Sequence, residues 1–205
     1  MAGGGGGGRG GAARHVARSC HPVCSYLRVA GMGRAEAEFG EISSFSWTLG
    51  GTGTVKIAKV QNVTLNKTPK VSRLLDSSSL RHIALPQIQL EIDEVTGVLR
   101  CDNLAEGEVT VRKANILMMH DTCESRVRVE ECNLLIILQG GNSSEFTVGG
   151  GEVVAIEHGN IVLSAGPGVA LRCWDPATEG LLEGEAAAAE FVSERHQGGA
   201  RLATA

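Results

Sequence analysis

The sequence predicts an all-β domain, a small β-barrel or tight sandwich, with one short flanking α-helix. Three observations predict it. Apolar and polar residues alternate over about nine short segments, as half-buried strands require. Glycines punctuate those segments where turns are needed. The apolar face also changes parity within two segments, near Lys113-Ala114 and near Glu130-Glu131, as strands do at a bulge or barrel corner.

The chain has 205 residues and a net charge of -4. That length holds one domain of roughly 150 residues plus tails. The mixed charges lack the clustered basic face of a nucleic-acid binder, so nucleic acid is not expected as a partner. No run approaches the roughly 20 apolar residues of a membrane span, so no membrane partner is expected. Residues 1–24 read as a disordered glycine-rich tail, because the Gly3 to Gly8 run cannot bury apolar surface. Its single Arg9-Gly10-Gly11 leaves open an RNA-touching segment or an extension lost from the mature protein. Residues 25–175 read as the β-barrel domain. Residues 176–205 read as a C-terminal tail, helical around Ala186 to Ala189, with Asp175-Pro176 as the helix start.

In chain order, Tyr26 to Val29 form a short strand ended by Gly31, and Gly33 to Glu38 form a loop. Phe45, Trp47 and Leu49 alternate with serines and a threonine on the next strand. Gly50, Gly51 and Gly53 break it, and Val55, Ile57, Val63 and Leu65 resume the same phase. Thr68 then caps a helix with Pro69 at its first position. Val71, Leu74 and Leu75 share one face of that helix, which is too short to stand alone. Ile88, Leu90 and Ile92 mark another half-buried strand. Val109 and Val111 start the next, with Ile116 and Met118 on the opposite parity. Val127 and Val129 begin its partner, with Cys132, Leu134, Ile136 and Leu138 switched in the same way. His120 to Ser125 is the hairpin loop between the two. Short strands around Phe146, Val153, Ile161 and Val169 to Cys173 close the domain.

No catalytic constellation, cofactor cradle or metal site emerges, so no catalytic, cofactor-binding or metal residue is assigned. Cys20-His21-Pro22-Val23-Cys24 resembles half a zinc site, but four ligands in two close pairs are wanted and Cys101 has no near partner. His82, His120, Cys123 and His158 could complete such a site only through folding. His120-Asp121-x-Cys123 could be read as a base and a nucleophile, but neighbours on a strand point to opposite faces. Gly149-Gly150-Gly151 precedes a strand, not a helix, so it is no dinucleotide cradle. Of the six cysteines, Cys101, Cys132 and Cys173 sit among apolar residues and read as small buried hydrophobes rather than as a disulfide framework.

Several stretches resemble the haemolysin-coregulated protein family, the inner tube of the bacterial type VI secretion system. Tyr26 to Gly31 is similar to the family's opening strand. Phe39-Gly40-Glu41-Ile42 followed by Ser44-Phe45-Ser46-Trp47 is similar to its Lys-Gly-Glu-Ile and Ser-x-Ser-Trp signature. The glycine break and strand from Gly50 to Leu65, the Thr68 to Ile83 helix, the Val109 to Leu138 pair and Cys173-Trp174-Asp175 follow in the family's order. The resemblance implies a non-catalytic structural protein. It would form homo-hexameric rings that stack into a tube, carry secreted effector cargo, need no cofactor, and reside in the bacterial cytoplasm and outside the cell. A monomeric β-barrel that binds a ligand or regulates a partner is the alternative.

Overall fold

A computed structural model describes residues 26–30, 34–48, 52–66, 88–138, 144–156, 161–175, 177–184, 186–188 and 201–204. Among them are ten strands: β1 (Leu27–Ala30), β2 (Arg34–Thr48), β3 (Thr52–Asn66), β4 (Ile88–Ala105), β5 (Gly107–Cys123), β6 (Arg126–Leu138), β7 (Ser144–Ile156), β8 (Ile161–Asp175), β9 (Gly180–Glu183) and β10 (Arg201–Thr204). The predicted Thr68 helix, the glycine-rich tail and the Cys20–Cys24 pair lie outside the described residues.

From β1 to β8 each strand is hydrogen-bonded to the next in chain order. Every one of those pairings is parallel. Register partners lie 18 residues apart at Val109 and Val127, 19 apart at Leu90 and Val109, and 17 apart at Phe146 and Leu163. Across residues 67–87 the step lengthens, to 35 between Gly53 and Ile88. Consecutive parallel strands normally need a crossover to bring the chain back. Here the bent second half of each long strand is that crossover. The result is a β-solenoid of about six turns, each turn stacked on the last.

This corrects the barrel or sandwich expectation. It also corrects the hairpin around His120 to Ser125, because β5 and β6 run parallel there. Alternation identifies which side chains share a face, but not which strand lies alongside or in which direction. A short connection can close a hairpin or turn the corner of a coil. The loop expected over Gly33 to Glu38 is likewise strand, the first half of β2.

The core is a set of apolar columns running along the stack. Trp47, Leu65, Cys101, Met119, Ile137, Ala155 and Cys173 are successive register partners in one column. All seven are buried. Phe45, Val63, Leu99, Leu117, Leu135 and Val153 form a second, also buried. Phe45 and Trp47 meet edge to face with centroids 6.2 Å apart.

The spacing of buried positions shows how a coil turns. In β5 the inward residues up to Met119 are Gly107, Val109, Val111, Ala114, Leu117 and Met119. Steps of two belong to straight arms, and the two steps of three around Ala114 turn the bend. Two such steps restore the original parity. Leu117, Met119, Leu135 and Ile137 therefore point inward, while Ile116, Met118, Leu134, Ile136 and Leu138 point outward and are only half-buried. The apolar parity expected from the sequence is the outward one.

The next corner is built on hydroxyls. The buried Ser125 side chain accepts from the Gly107 N–H at 3.3 Å and donates to the Leu104 carbonyl at 3.1 Å. The buried Ser144 hydroxyl accepts from the Ser125 N–H at 3.3 Å. Between them, Thr122 stacks on Leu104 in the core, and its buried Oγ1 has no hydrogen-bond partner. At the bend of β7 the coil has one residue fewer than β6 between matched partners, Val148 to Glu152 against Val129 to Leu134. Gly151 takes up the shortfall at φ 116°, where a Cβ would overlap the Cys132 carbonyl oxygen.

The segment beyond Asp175, read from the sequence as a tail, supplies the last two strands. β9 pairs antiparallel with the second half of β8, and β10 pairs parallel with the first half. Together they cover most of the outer edge of the final coil, which would otherwise offer unpaired backbone groups.

The corner makes opposite predictions for two hydroxyls. Ser125→Ala strips buried backbone groups of partners and should cost about 1–3 kcal/mol. Thr122→Val removes an unpaired buried oxygen at constant shape and should gain about 1 kcal/mol. Urea midpoints at unchanged m-value report both, and equal shifts would refute the corner geometry. Gly151→Ala should cost at least about 2 kcal/mol, since steric overlap adds to backbone strain.

Candidate interaction face

Two outward faces of the solenoid differ in kind. On the face carried by the first half of each strand, charges alternate in sign from coil to coil. Glu41, Lys59, Glu94, Lys113 and Glu131 form one such column. Lys59 Nζ lies 3.7 Å from Glu41 and 3.6 Å from Glu94. Arg112 bridges Asp93 and Glu130, Lys56 meets Glu91 at 2.7 Å, and Arg128 meets Glu108 at 3.0 Å. The Lys56 ammonium is held above its ordinary pKa by its hydrogen bond to Glu91 and the attraction of that carboxylate. Each exposed pair is worth less than about 1 kcal/mol. Their effect is on register, since like charges stacked directly are unfavourable.

The face carried by the second half is apolar in a diagonal stripe. Val98, Ile116 and Leu134 are register partners on β4, β5 and β6. Met118, Ile136 and Val154 follow one column over, on β5, β6 and β7, and Leu138 and Ile156 one column further. The stripe continues onto β8 and β9, where Trp174 and Leu181 are paired and both exposed, at 37% and 44%. Arg100, Asp102 and His120 flank one side. Glu152, Arg172 and Glu183 flank the other, with Arg172 3.1 Å from Glu152 and 3.0 Å from Glu183. A face turned to water gains nothing from such a stripe, and contiguous apolar patches on soluble proteins mark contact surfaces. The sequence signal was present in Ile116-Leu117-Met118-Met119 and Leu134 to Leu138, runs too continuously apolar for strands with one wet face.

Of the residues that could carry chemistry, Cys20, His21, Cys24, His82 and His158 lie outside the described residues, and His120, Asp121 and Cys123 do not assemble into a site. His120 is on the outward face, with Nδ1 3.9 Å from Asp102 rather than against Asp121. Asp121 sits at the corner in left-handed conformation, φ 51°. Cys123 is in register with Ala105 at the same corner. Among the described residues no group of three or more His, Cys, Asp or Glu is placed to hold a metal. A groove of about 500 Å³ runs along the hydroxyl corner, lined by Glu106, Glu108, Glu124, Glu145 and Arg126 among others. It is open, and Arg126 is paired with Glu145 at 3.3 Å.

Cys101, Cys132 and Cys173 are buried and outside any disulfide, as their apolar surroundings predict. Burial pushes the Cys101 thiol up to about 12, with the Asp102 charge adding to it, and raises Cys132. Thiols held protonated in this way are poor nucleophiles.

The expected helix start at Asp175 is instead a turn. Asp175 accepts from the Ala177 N–H at 2.8 Å and from the Thr178 hydroxyl at 2.7 Å, and the chain returns as β9. Residues 180–183 are strand, and the chain is helical further on, at residues 186–188, within the Ala186 to Ala189 stretch where the sequence predicts a helix. These bonds, the Thr178 hydroxyl first, hold the Asp175 carboxyl below its ordinary pKa. A lowered carboxyl pKa adds stability above the ordinary carboxylate range, lost as pH falls through the lowered value. Asp175→Ala at neutral pH should therefore loosen β9 and speed labelling of Cys173, its neighbour inside Leu182. Mass-resolved maleimide labelling checks this, and an unchanged rate would refute the turn's role.

Comparison with protein-family models, curated proteins and solved structures produced no match. The resemblance to the haemolysin-coregulated proteins therefore rests on the sequence stretches alone, and its two strongest, Phe39 to Ile42 and Ser44 to Trp47, lie within the single solenoid strand β2.

Proposed function

We propose that this chain is a non-catalytic structural module that works by contact through the apolar stripe of β4 to β9. The observation that carries the reading is the outward ladder of Ile116, Met118, Leu134, Ile136, Val154 and Ile156, continued by exposed Trp174 and Leu181. Support also comes from what surrounds it. The opposite face is charged and internally paired, and burial raises the Cys101 and Cys132 thiols above the ordinary thiol range. The solenoid supplies a regular support, because Ile116, Met118, Leu134, Ile136 and Val154 are each held by register partners on both neighbouring strands.

The hexameric tube subunit with secreted cargo remains a proposal of a different kind, drawn from the resemblance. It relied on a small barrel, and no residue pattern of the solenoid favours a ring. The contact-face reading is the one the geometry supports best.

A hydrophobic dye tests it at submicromolar protein, where association is weakest. The folded full chain should bind bis-ANS, and Leu134→Lys with Ile136→Lys should lower that signal several-fold with the urea midpoint nearly unchanged. Equal dye binding by the two proteins would overturn the reading.

A further inference from the structure

We infer that the open edge of β2, over residues 34–44, takes up by strand addition an extended segment of a partner protein in which apolar and basic residues alternate. This surface lies apart from the stripe, and the inference stands independently of the contact-face reading.

Three observations lead there. First, the two ends of the stack differ. At the far end β10 lies along Val162 to Ala165 and β9 along Arg172 to Asp175. At the near end β1 lies along Phe45 to Thr48 only. Over residues 34–44, β2 has β3 on one side and, among the described residues, no strand on the other. An open edge presents a row of N–H and C=O groups that fit another extended backbone. Second, the core is open at that edge. Phe45 and Trp47, which β1 covers, are 0% and 2% exposed. Ala37 and Phe39 head the inward columns of Val55 and Ile57, yet they are only half-buried while Val55 and Ile57 are buried. Apolar residues on an added strand would complete their burial. Third, the charge ladder ends on acids. Inside the stack Lys56 lies in register between Glu38 and Glu91, and Lys59 between Glu41 and Glu94. Glu38 and Glu41 are exposed and have a lysine of β3 on one side. Bases on the other side would continue the alternation, whereas a second copy bringing its own β2 edge would set acid against acid.

β3 shows what a strand that fits β2 looks like. Its Val55, Ile57 and Val60 lie against Ala37, Phe39 and Ile42, and its Lys56 and Lys59 lie against Glu38 and Glu41. The step of two followed by the step of three matches β2 only in a parallel strand, because an antiparallel one meets the steps in reverse order. The occupant therefore carries the pattern of Val55 to Val60 read in the same direction, with apolar residues at the valine and isoleucine positions and bases at the lysine positions.

A fluorescent, end-capped peptide with the sequence of Thr54 to Val60, titrated with the full chain, tests the proposal. Saturable binding of one peptide per chain is expected, with the slowing of amide exchange concentrated in β2. A peptide with glutamate in place of both lysines should bind at least about tenfold more weakly, and so should the reversed sequence. Glu38→Lys with Glu41→Lys in the protein, at unchanged far-ultraviolet circular dichroism, should exchange the preference between the lysine and glutamate peptides. The peptide series on the wild-type chain keeps the test independent of how that variant folds. No binding by the full chain overturns the proposal. Slowed exchange in β5 and β6 rather than β2 overturns the edge as the site. A dimer of the chain that the peptide dissociates overturns the partner strand in favour of a second copy. Equal binding of the lysine and glutamate peptides overturns the charge match, and equal binding of the reversed sequence overturns the parallel arrangement.

Discussion

Parallel stacking in register is the constraint on which everything else depends. Once β5 lies on β4 with Val109 beside Leu90, every side chain shares its surroundings with residues about one coil away on either side. An inward apolar residue must be matched by others, which makes columns such as Trp47 to Cys173. An outward charge must be met by its opposite, which makes the alternation from Glu41 to Glu131. A bend in one coil must be repeated in the next, and where β7 is one residue short only Gly151 can take the strain. The hydroxyls of Ser125 and Ser144 complete the corner, because the turning backbone leaves N–H groups that no strand partner reaches.

Much of the local structure was legible in the sequence. Phe45, Trp47, Val55, Ile57, Ile88, Leu90, Val127 and Val129 are inward as their alternation requires. The parity change near Ala114 and Cys132 was visible too, and it is a real bend. What was not legible was pairing, because a two-residue period fits a hairpin and a coil equally well. The decisive signal was a longer period. Val109-x-Val111-x-x-Ala114-x-x-Leu117-x-Met119 recurs 18 residues later as Val127-x-Val129-x-x-Cys132-x-x-Leu135-x-Ile137. Three things mask it: Val, Phe, Leu and Cys substitute freely within a column, residues 67–87 interrupt the period after β3, and the glycine bends of β7 and β8 shift it by a residue.

The candidate face was harder to read for a related reason. In a run such as Leu134-Leu135-Ile136-Ile137-Leu138 both parities are apolar, so nothing local says which is inward. The bend decides it, through two successive three-residue steps. The parity left outside becomes a stripe only when several coils are stacked, and Trp174 and Leu181 join it only because β9 folds back on β8. The surface is a property of the register and not of any one segment. It gives the molecule one charged, self-satisfied side and one side that is incomplete in water.

The most direct test of this account is the set of inter-strand backbone proton contacts in the protonated, isotope-labelled protein by NMR. Parallel coils predict close amide and Hα contacts between Val109 and Val127, Leu117 and Leu135, and Met119 and Ile137, all at a constant offset of 18. Hα–Hα contacts mirrored about the His120 to Ser125 corner, with the offset shrinking toward the turn, would mean an antiparallel hairpin and would contradict the solenoid.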